Sequence, residues 1–228
     1  MCRQAMILAA GRGSRLRPLT DKIPKSLISI KGKPLVVYHI ERLVRMKVDS
    51  IVINTGWLGE MLESYLGDGS KWGVSISYSR EITDTGSILG TASGIRYAVD
   101  KKLLTEDIFF VINADVWTDF CSWDNFLLAN NVQYVAHLFL IKVINNNSDF
   151  SLSSSGVVFL QENNIYTFCG MGFYRKHIFQ DDETSAAQLG DMIKHYVQDN
   201  KVSGSVYPGI WQDMGTIDRI LTVDPYFL

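Results

Sequence analysis

Apolar strand-like runs alternate with helical patterns through the first half of this chain, and that alternation restricts the fold more than any other feature. Ala5–Ala10 is an apolar run that meets Gly11. Pro34–Met46 carries Leu35, Val36, Ile40, Leu43 and Val44 at the spacing of a helix face, behind a proline at a first helical position. Ser50–Asn54 is β-branched, Leu58–Leu66 reads as a short helix ended by Gly67, and Val74–Tyr78 alternates as a strand. Gly90–Val99 reads as a helix, and Ile108–Asn113 is an apolar strand. Strands separated by helices build βαβ units. The expectation is an α/β, Rossmann-like fold with a mainly parallel sheet flanked by helices on both faces.

The second half is less regular. Tyr134–Val143 and Ile165–Tyr174 read as strands, with the polar loop "INNNSDFSLSSSG" between them. Gln188–Gln198 and Thr216–Val223 read as helices. With 228 residues and no repeat or linker-like stretch, residues 1–228 are expected to form a single domain with an inserted lobe.

The stretch "ILAAGRGSRLRPLTDKIPKSL", residues 7–27, runs from the first strand straight into a cationic loop. In open α/β sheets, ligands bind at the carboxyl ends of strands, where this loop begins. Gly11 and Gly13 lack side chains, so their N–H groups can approach phosphate oxygens. Arg15 and Arg17 can pair with those oxygens, and Lys25 adds a point charge. The bland alternative is a glycine turn with solvated arginines. A phosphate-binding loop is the reading adopted, because these cations are clustered in a chain of net charge −2. Two familiar phosphate motifs do not fit. Leu16 stands where a dinucleotide fingerprint needs glycine, and Gly32-Lys33 is followed by Pro34 rather than Ser or Thr.

Composition excludes other classes. A pI near 6.1 argues against a general nucleic-acid or membrane surface. No stretch approaches the length of a membrane span, and no signal-peptide pattern follows the start. Cys2, Cys121 and Cys169 are too scattered for a disulfide framework or zinc site, so a soluble cytoplasmic protein is expected. His39, His137, His177 and His195 show no metal spacing, and Trp117, Trp123 and Trp211 are expected in core or pocket wall.

The loop resembles the G-x-G-[TS]-R-L-x-P-L-T…P-K-P-L signature of the sugar-1-phosphate nucleotidyltransferases. Gly11, Gly13, Ser14, Arg15, Leu16, Pro18, Leu19, Thr20, Pro24, Lys25 and Leu27 all fall in place, and Ser26 replaces a proline. The resemblance implies that Gly11, Gly13, Ser14, Arg15 and Lys25 hold the phosphates of an NTP, with Arg15 and Lys25 catalytic. It implies Mg²⁺ as cofactor. "NADVWTDF" resembles the family's N-G-D metal motif, with Ala114 for glycine, and "WQDMGT" resembles its W-x-D-x-G-T. Asp115 and Asp213 are therefore the expected metal pair. Taken alone, Asp213 is as easily a helix cap, and Asp119 and Asp218 read as surface or helix-end charges. "LGTAS" resembles the base-reading loop and assigns Leu89, Gly90 and Thr91 to the NTP, although without the upstream motif Thr91 reads as an ordinary helix cap.

Longer segments resemble the N-acetylmuramate-1-phosphate uridylyltransferase branch, which implies a role in cell-wall recycling. They are "VINTGWLGEMLESYLGDGSKWGVSISYS", "TFCGMGFYRKHIF" and "KVSGSVYPGIWQDMGTIDRI". Within them the resemblance places Asn54 at the NTP and Gly170 at the sugar, with Asn113 and Asp149 as further sugar contacts. Residues 1–120 would bind the NTP, and residues 121–228 would bind the sugar and supply the second metal ligand. The C-terminal β-helix of larger relatives would be absent. Residues 145–147 are a candidate lid. Expected partners are an NTP and a sugar 1-phosphate, with no nucleic acid and no membrane, in a monomer or small homo-oligomer. L-G-T-A also fits guanylyltransferases of mannose or heptose phosphates, so that alternative stays open. A nucleotide-sensing regulatory subunit is the other rival, and it would be expected to lack Lys25, Asp115 or Asp213.

Overall fold

The computed structural model describes residues 3–121, 131–142, 148–181 and 185–224. Cys2, Trp123 and residues 145–147 lie outside them. The first half contains β1 (Gln4–Leu8), a small hairpin of β2 (Ser29–Ile30) and β3 (Lys33–Pro34), α1 (Leu35–Arg45), β4 (Ser50–Thr55) and α2 (Gly59–Leu66). It continues with β5 (Ser75–Arg80), α3 (Glu81–Thr85), α4 (Thr91–Asp100), β6 (Ile108–Asn113) and β7 (Val116–Thr118). The second half adds β8 (Ala136–Lys142), β9 (Ser151–Leu152), β10 (Val158–Phe159) and β11 (Tyr166–Arg175). It closes with α5 (Leu189–Gln198), β12 (Val202–Val206), β13 (Trp211–Asp213) and α6 (Ile217–Val223).

Seven strands form one sheet in the order β12-β8-β11-β6-β1-β4-β5. β6, β1, β4 and β5 are mutually parallel, β11 runs antiparallel to both its neighbours, and β12 is parallel to β8. The mainly parallel α/β sheet expected from the sequence is therefore present. Side chains alternate across a strand, which divides the core in two. Ala5, Ile7, Ile51, Ile53, Phe110 and Ile112 pack on the face that carries α1 and α2. Met6, Val52, Phe109 and Val111 pack on the opposite face, with α4 and α5. Burial on both faces explains why these strands read as continuous apolar runs. Each fully buried aliphatic side chain contributes about 1.5–3 kcal/mol relative to exposure.

One local expectation is corrected. Pro34 is the last residue of β3, paired with Ser29, and precedes α1 rather than filling its first position. Its extended backbone, with ψ 141°, suits the hairpin. Among the described residues no helix is long and apolar enough to cross a membrane.

Candidate active site

The carboxyl ends of β1 and β6 open into a cleft of about 320 Å³. It is lined by Gly11, Gly13, Ser14, Arg15, Lys25, Asn54, Leu89, Gly90, Thr91, Asn113 and Asp115, all anticipated from the sequence. Gln188 and Gly215 from the second half of the chain line it as well.

The loop after β1 divides its three arginines. Arg12 stacks 3.6 Å from the centre of the Trp57 ring and donates to Thr20 O at 2.7 Å and to Asp21 Oδ1 at 2.7 Å. Arg17 Nε pairs with the same Asp21 oxygen at 2.9 Å. A hydrogen bond from Arg12, reinforced by Arg17, holds the Asp21 carboxyl below its ordinary pKa. Arg12 and Arg17 thus brace the loop, and Arg17, read from the sequence as a phosphate contact, is not on the cleft wall. Arg15 is left on the cleft wall. Trp57 Nε1 donates to Thr20 O at 2.8 Å and completes the brace. Gly13 has φ +65°, a left-handed conformation that glycine adopts without strain.

Lys25 Nζ donates to Asp115 Oδ2 at 2.5 Å. Asp213 reaches the same corner through β13, which pairs antiparallel with β7 in a register that sets Asp213 opposite Val116. Met214 N–H donates to Asp115 O at 2.8 Å, locking the two segments together. The cap of α6 is Thr216, whose hydroxyl accepts from Arg219 N–H, so Asp213 is not a helix cap. Asp213 Oδ2 accepts from Arg219 Nη1, while Asp213 Oδ1 is buried with no hydrogen-bond partner. Asp119, read from sequence as a surface charge, accepts from Ile210 N–H at 2.7 Å and from the Tyr207 hydroxyl, tying down the strand that carries Asp213.

The donor set fits a hard divalent cation. The two carboxylates lie on segments joined at this corner, Asp213 on β13 and Asp115 just before β7, and one buried oxygen lacks a partner. Among the described residues no group of three or more His, Cys, Asp or Glu side chains forms a complete protein cage. Mg²⁺ favours such an arrangement, because it keeps water and takes substrate phosphate oxygens. His39 lies beneath this corner, 1% exposed, and burial together with nearby Arg42 lowers its pKa to about 3.

On the far wall, Gly90 packs against the Ala187 backbone, and Ala92 N–H donates to Ala187 O at 2.9 Å. Thr91 Oγ1 accepts from Leu189 N–H at 2.8 Å and lies 3.2 Å from Gln188 Oε1. Asn54 lines the cleft, but its amide is committed: Oδ1 accepts from Ala9 N–H at 2.6 Å, and Nδ2 donates to Glu81 Oε1 at 2.8 Å. Gly170, at φ +74°, leaves room for Asn113, since a Cβ there would lie 2.7 Å from Asn113 Nδ2. Asp149 lines a separate cavity of about 160 Å³ with Phe168 and Lys194, and its Oδ2 accepts from Phe168 N–H at 3.0 Å. Asp149, Gly170 and Asp213 are therefore not on the wall of the main cleft.

The sequence reading passed over Glu81, Gln188, Arg219 and Trp57. Glu81 carried the one usable signal, an acidic residue directly after a strand, much as Asp115 follows β6 by two residues. The partners of Gln188 and Trp57 lie far away along the chain, and Arg219 meets Asp213 only through the turn into α6.

Comparison with known proteins agrees with this geometry. The family described as nucleotidyl transferase matches residues 4–168. The N-acetylmuramate alpha-1-phosphate uridylyltransferase of Neisseria meningitidis serogroup B is 42% identical over 224 residues, covering 95% of this chain and 95% of that protein. A protein of the same name from Caulobacter vibrioides is 28% identical over 232 residues, covering 92% and 91%. The crystal structure of a UDP-glucose pyrophosphorylase complexed with UDP-glucose shares the fold, with a TM-score of 0.77 at 19% identity over 98% of this chain and 97% of that one. With its cationic loop and Asp115 on one cleft of a mainly parallel α/β sheet, and with these matches over most of its length, the chain belongs to the nucleotidyl transferase family of enzymes.

Proposed function

We propose that this enzyme transfers a uridylyl group from UTP to N-acetylmuramate 1-phosphate, releasing pyrophosphate. The observation that carries the reading is the convergence of Arg15, Lys25 and Asp115 on one cleft. The near full-length similarity to a uridylyltransferase of that sugar supports the choice of substrates. An anionic phosphate oxygen of the sugar 1-phosphate attacks the α-phosphorus, the bond to the bridging oxygen breaks, and pyrophosphate leaves with the electron pair. The nucleophile is already ionised, so no general base is required.

Catalysis then rests on positioning and charge neutralisation. Gly11, Gly13 and Ser14 present backbone N–H groups to the phosphates. Arg15 and Lys25 stabilise charge that grows on the leaving group. Lys25 exchanges its Asp115 partner for phosphate oxygen when the nucleotide enters. Asp115 and Asp213 would hold Mg²⁺, which would neutralise phosphate charge when bound. Leu89, Gly90 and Thr91 form the base side, with Asn54 behind them. Asn113, backed by Gly170, faces the sugar phosphate, and Asp149 receives the sugar from the second cavity. Residues 1–120 would supply most of the NTP contacts and residues 121–228 the sugar contacts, in the cytoplasm.

The L-G-T-A loop favours a second reading, a guanylyl donor. Pyrophosphate release from four NTPs against a panel of sugar 1-phosphates tests both. UTP with N-acetylmuramate 1-phosphate is expected to give the highest kcat/KM. A preference for GTP with mannose 1-phosphate would overturn the first reading.

A further inference from the structure

Glu81 opens α3 at the end of β5 and is 0% exposed. No cation pairs with it among the described residues, and burial raises its pKa. Burying a carboxyl group without a counter-charge is costly, so its hydrogen bonds must offset that cost. Three bonds form a relay. Ala9 N–H donates to Asn54 Oδ1 at 2.6 Å, Asn54 Nδ2 donates to Glu81 Oε1 at 2.8 Å, and Leu89 N–H donates to Glu81 Oε2 at 2.8 Å. Both ends are backbone donors, so the polarity cannot reverse. Position 81 must accept on two separate oxygens, which a carboxylate offers and an amide, with one oxygen and one NH₂, does not. Helix α4 leaves space for this group, because a Cβ on Gly94 would lie 2.5 Å from Glu81 Oε1. Ala9 and Leu89 both line the cleft, one beside the phosphate loop and one on the base side.

We infer that Glu81, acting through Asn54, is a positioning residue that sets the width of the nucleotide slot by tying the segment 88–91 to the end of β1. The inference rests on the nucleotide reading of the cleft. It predicts an unusual rescue. Glu81→Gln leaves one donor of the relay without an acceptor, and Asn54→Asp sets two carboxylates against each other. The double variant N54D/E81Q restores three donors and three acceptors at the same total charge. Ala9 N–H and the introduced glutamine amide would both donate to the introduced aspartate, and Leu89 N–H would donate to the carbonyl oxygen of that glutamine side chain.

The test measures UTP and GTP affinity by calorimetry without turnover, stability by urea unfolding, and KM for each substrate. Each single variant should weaken nucleotide binding by about ten- to a hundredfold, the range for one hydrogen bond to a charged group. KM for the sugar phosphate should change far less, and the double variant should recover most of the affinity. Gly94→Ala, which crowds Glu81 without altering its charge, should weaken nucleotide binding in the same direction. Loss of stability with unchanged nucleotide affinity would overturn the inference and leave Glu81 a purely structural group. A double variant no better than the singles would overturn the relay. If the wild type bound no nucleotide, the reading of the cleft would fall with the slot, whereas recovery of stability in the double variant reports the relay separately.

Discussion

Gly11 and Gly13 look equivalent in the sequence, yet the structure predicts opposite consequences for an added methyl group. At Gly13 the backbone has φ +65°, which costs an L-residue about 1–2 kcal/mol. A Cβ there would also lie 2.9 Å from Thr20 Cγ2 and 3.1 Å from Lys25 Cβ. Neither neighbour is free to retreat. The Thr20 hydroxyl donates to Gly13 O at 2.8 Å, and Lys25 is held by Asp115 at 2.5 Å. Conformation and crowding together make Gly13→Ala about 2–3 kcal/mol less stable. The displaced Lys25 should lower kcat as well. At Gly11 the φ angle is not left-handed, and a methyl group there would meet no heavy atom within 4 Å. Alanine there restricts the unfolded chain, so stability should be unchanged or higher by up to about 1 kcal/mol. Because Gly11 lines the cleft, the methyl should instead raise KM for the triphosphate by roughly tenfold, equivalent to losing one close backbone contact. Urea unfolding supplies the stabilities, and initial-rate pyrophosphate release supplies KM. Equal stability losses in both variants, or wild-type KM in Gly11→Ala, would refute the reasoning.

Three other outcomes are expected. Lys25→Ala should lower the single-turnover rate by about 10²–10³ while the variant stays folded, and a near-normal rate would remove Lys25 from the mechanism. Asp213→Asn should abolish Mg²⁺-dependent turnover and weaken Mg²⁺ binding measured by calorimetry; retained metal dependence would leave Asp213 only as the partner of Arg219. Burial lowers the pKa of His39 to about 3 and of His137 to about 4, against an ordinary value of 6.5. Below pH 6.5 the unfolded chain takes up protons that the folded chain refuses, so stability is present above that pH and falls as pH drops. Each histidine should contribute a slope that approaches about 1.4 kcal/mol per pH unit well below pH 6.5, and His137→Gln should reduce the slope seen in urea melts between pH 6.5 and 5.

The sequence by itself determined what is local. A strand buried on both faces must be apolar throughout, so the helix-and-strand alternation was readable and with it the parallel half of the sheet. A glycine-rich cationic loop after the first strand and Asp115 after the most apolar strand marked two walls of the cleft. Elements with too few residues for a pattern were not readable: α3 has five, and the β2–β3, β9–β10 and β7–β13 ladders are two or three residues per strand. Tertiary structure decided which of several identical residue types does what. Arg12, Arg15 and Arg17 have the same chemistry, but Trp57 and Asp21 hold the first and third while Arg15 remains at the cleft. Asp213 came to the corner that holds Asp115 because a three-residue ladder set it opposite Val116, nearly a hundred positions away along the chain. Glu81 emerged only when Asn54, Leu89 and Gly94 closed around it. Hydrophobic periodicity records which way a side chain faces, whereas a charged group takes its role from the partners that folding brings within hydrogen-bond reach.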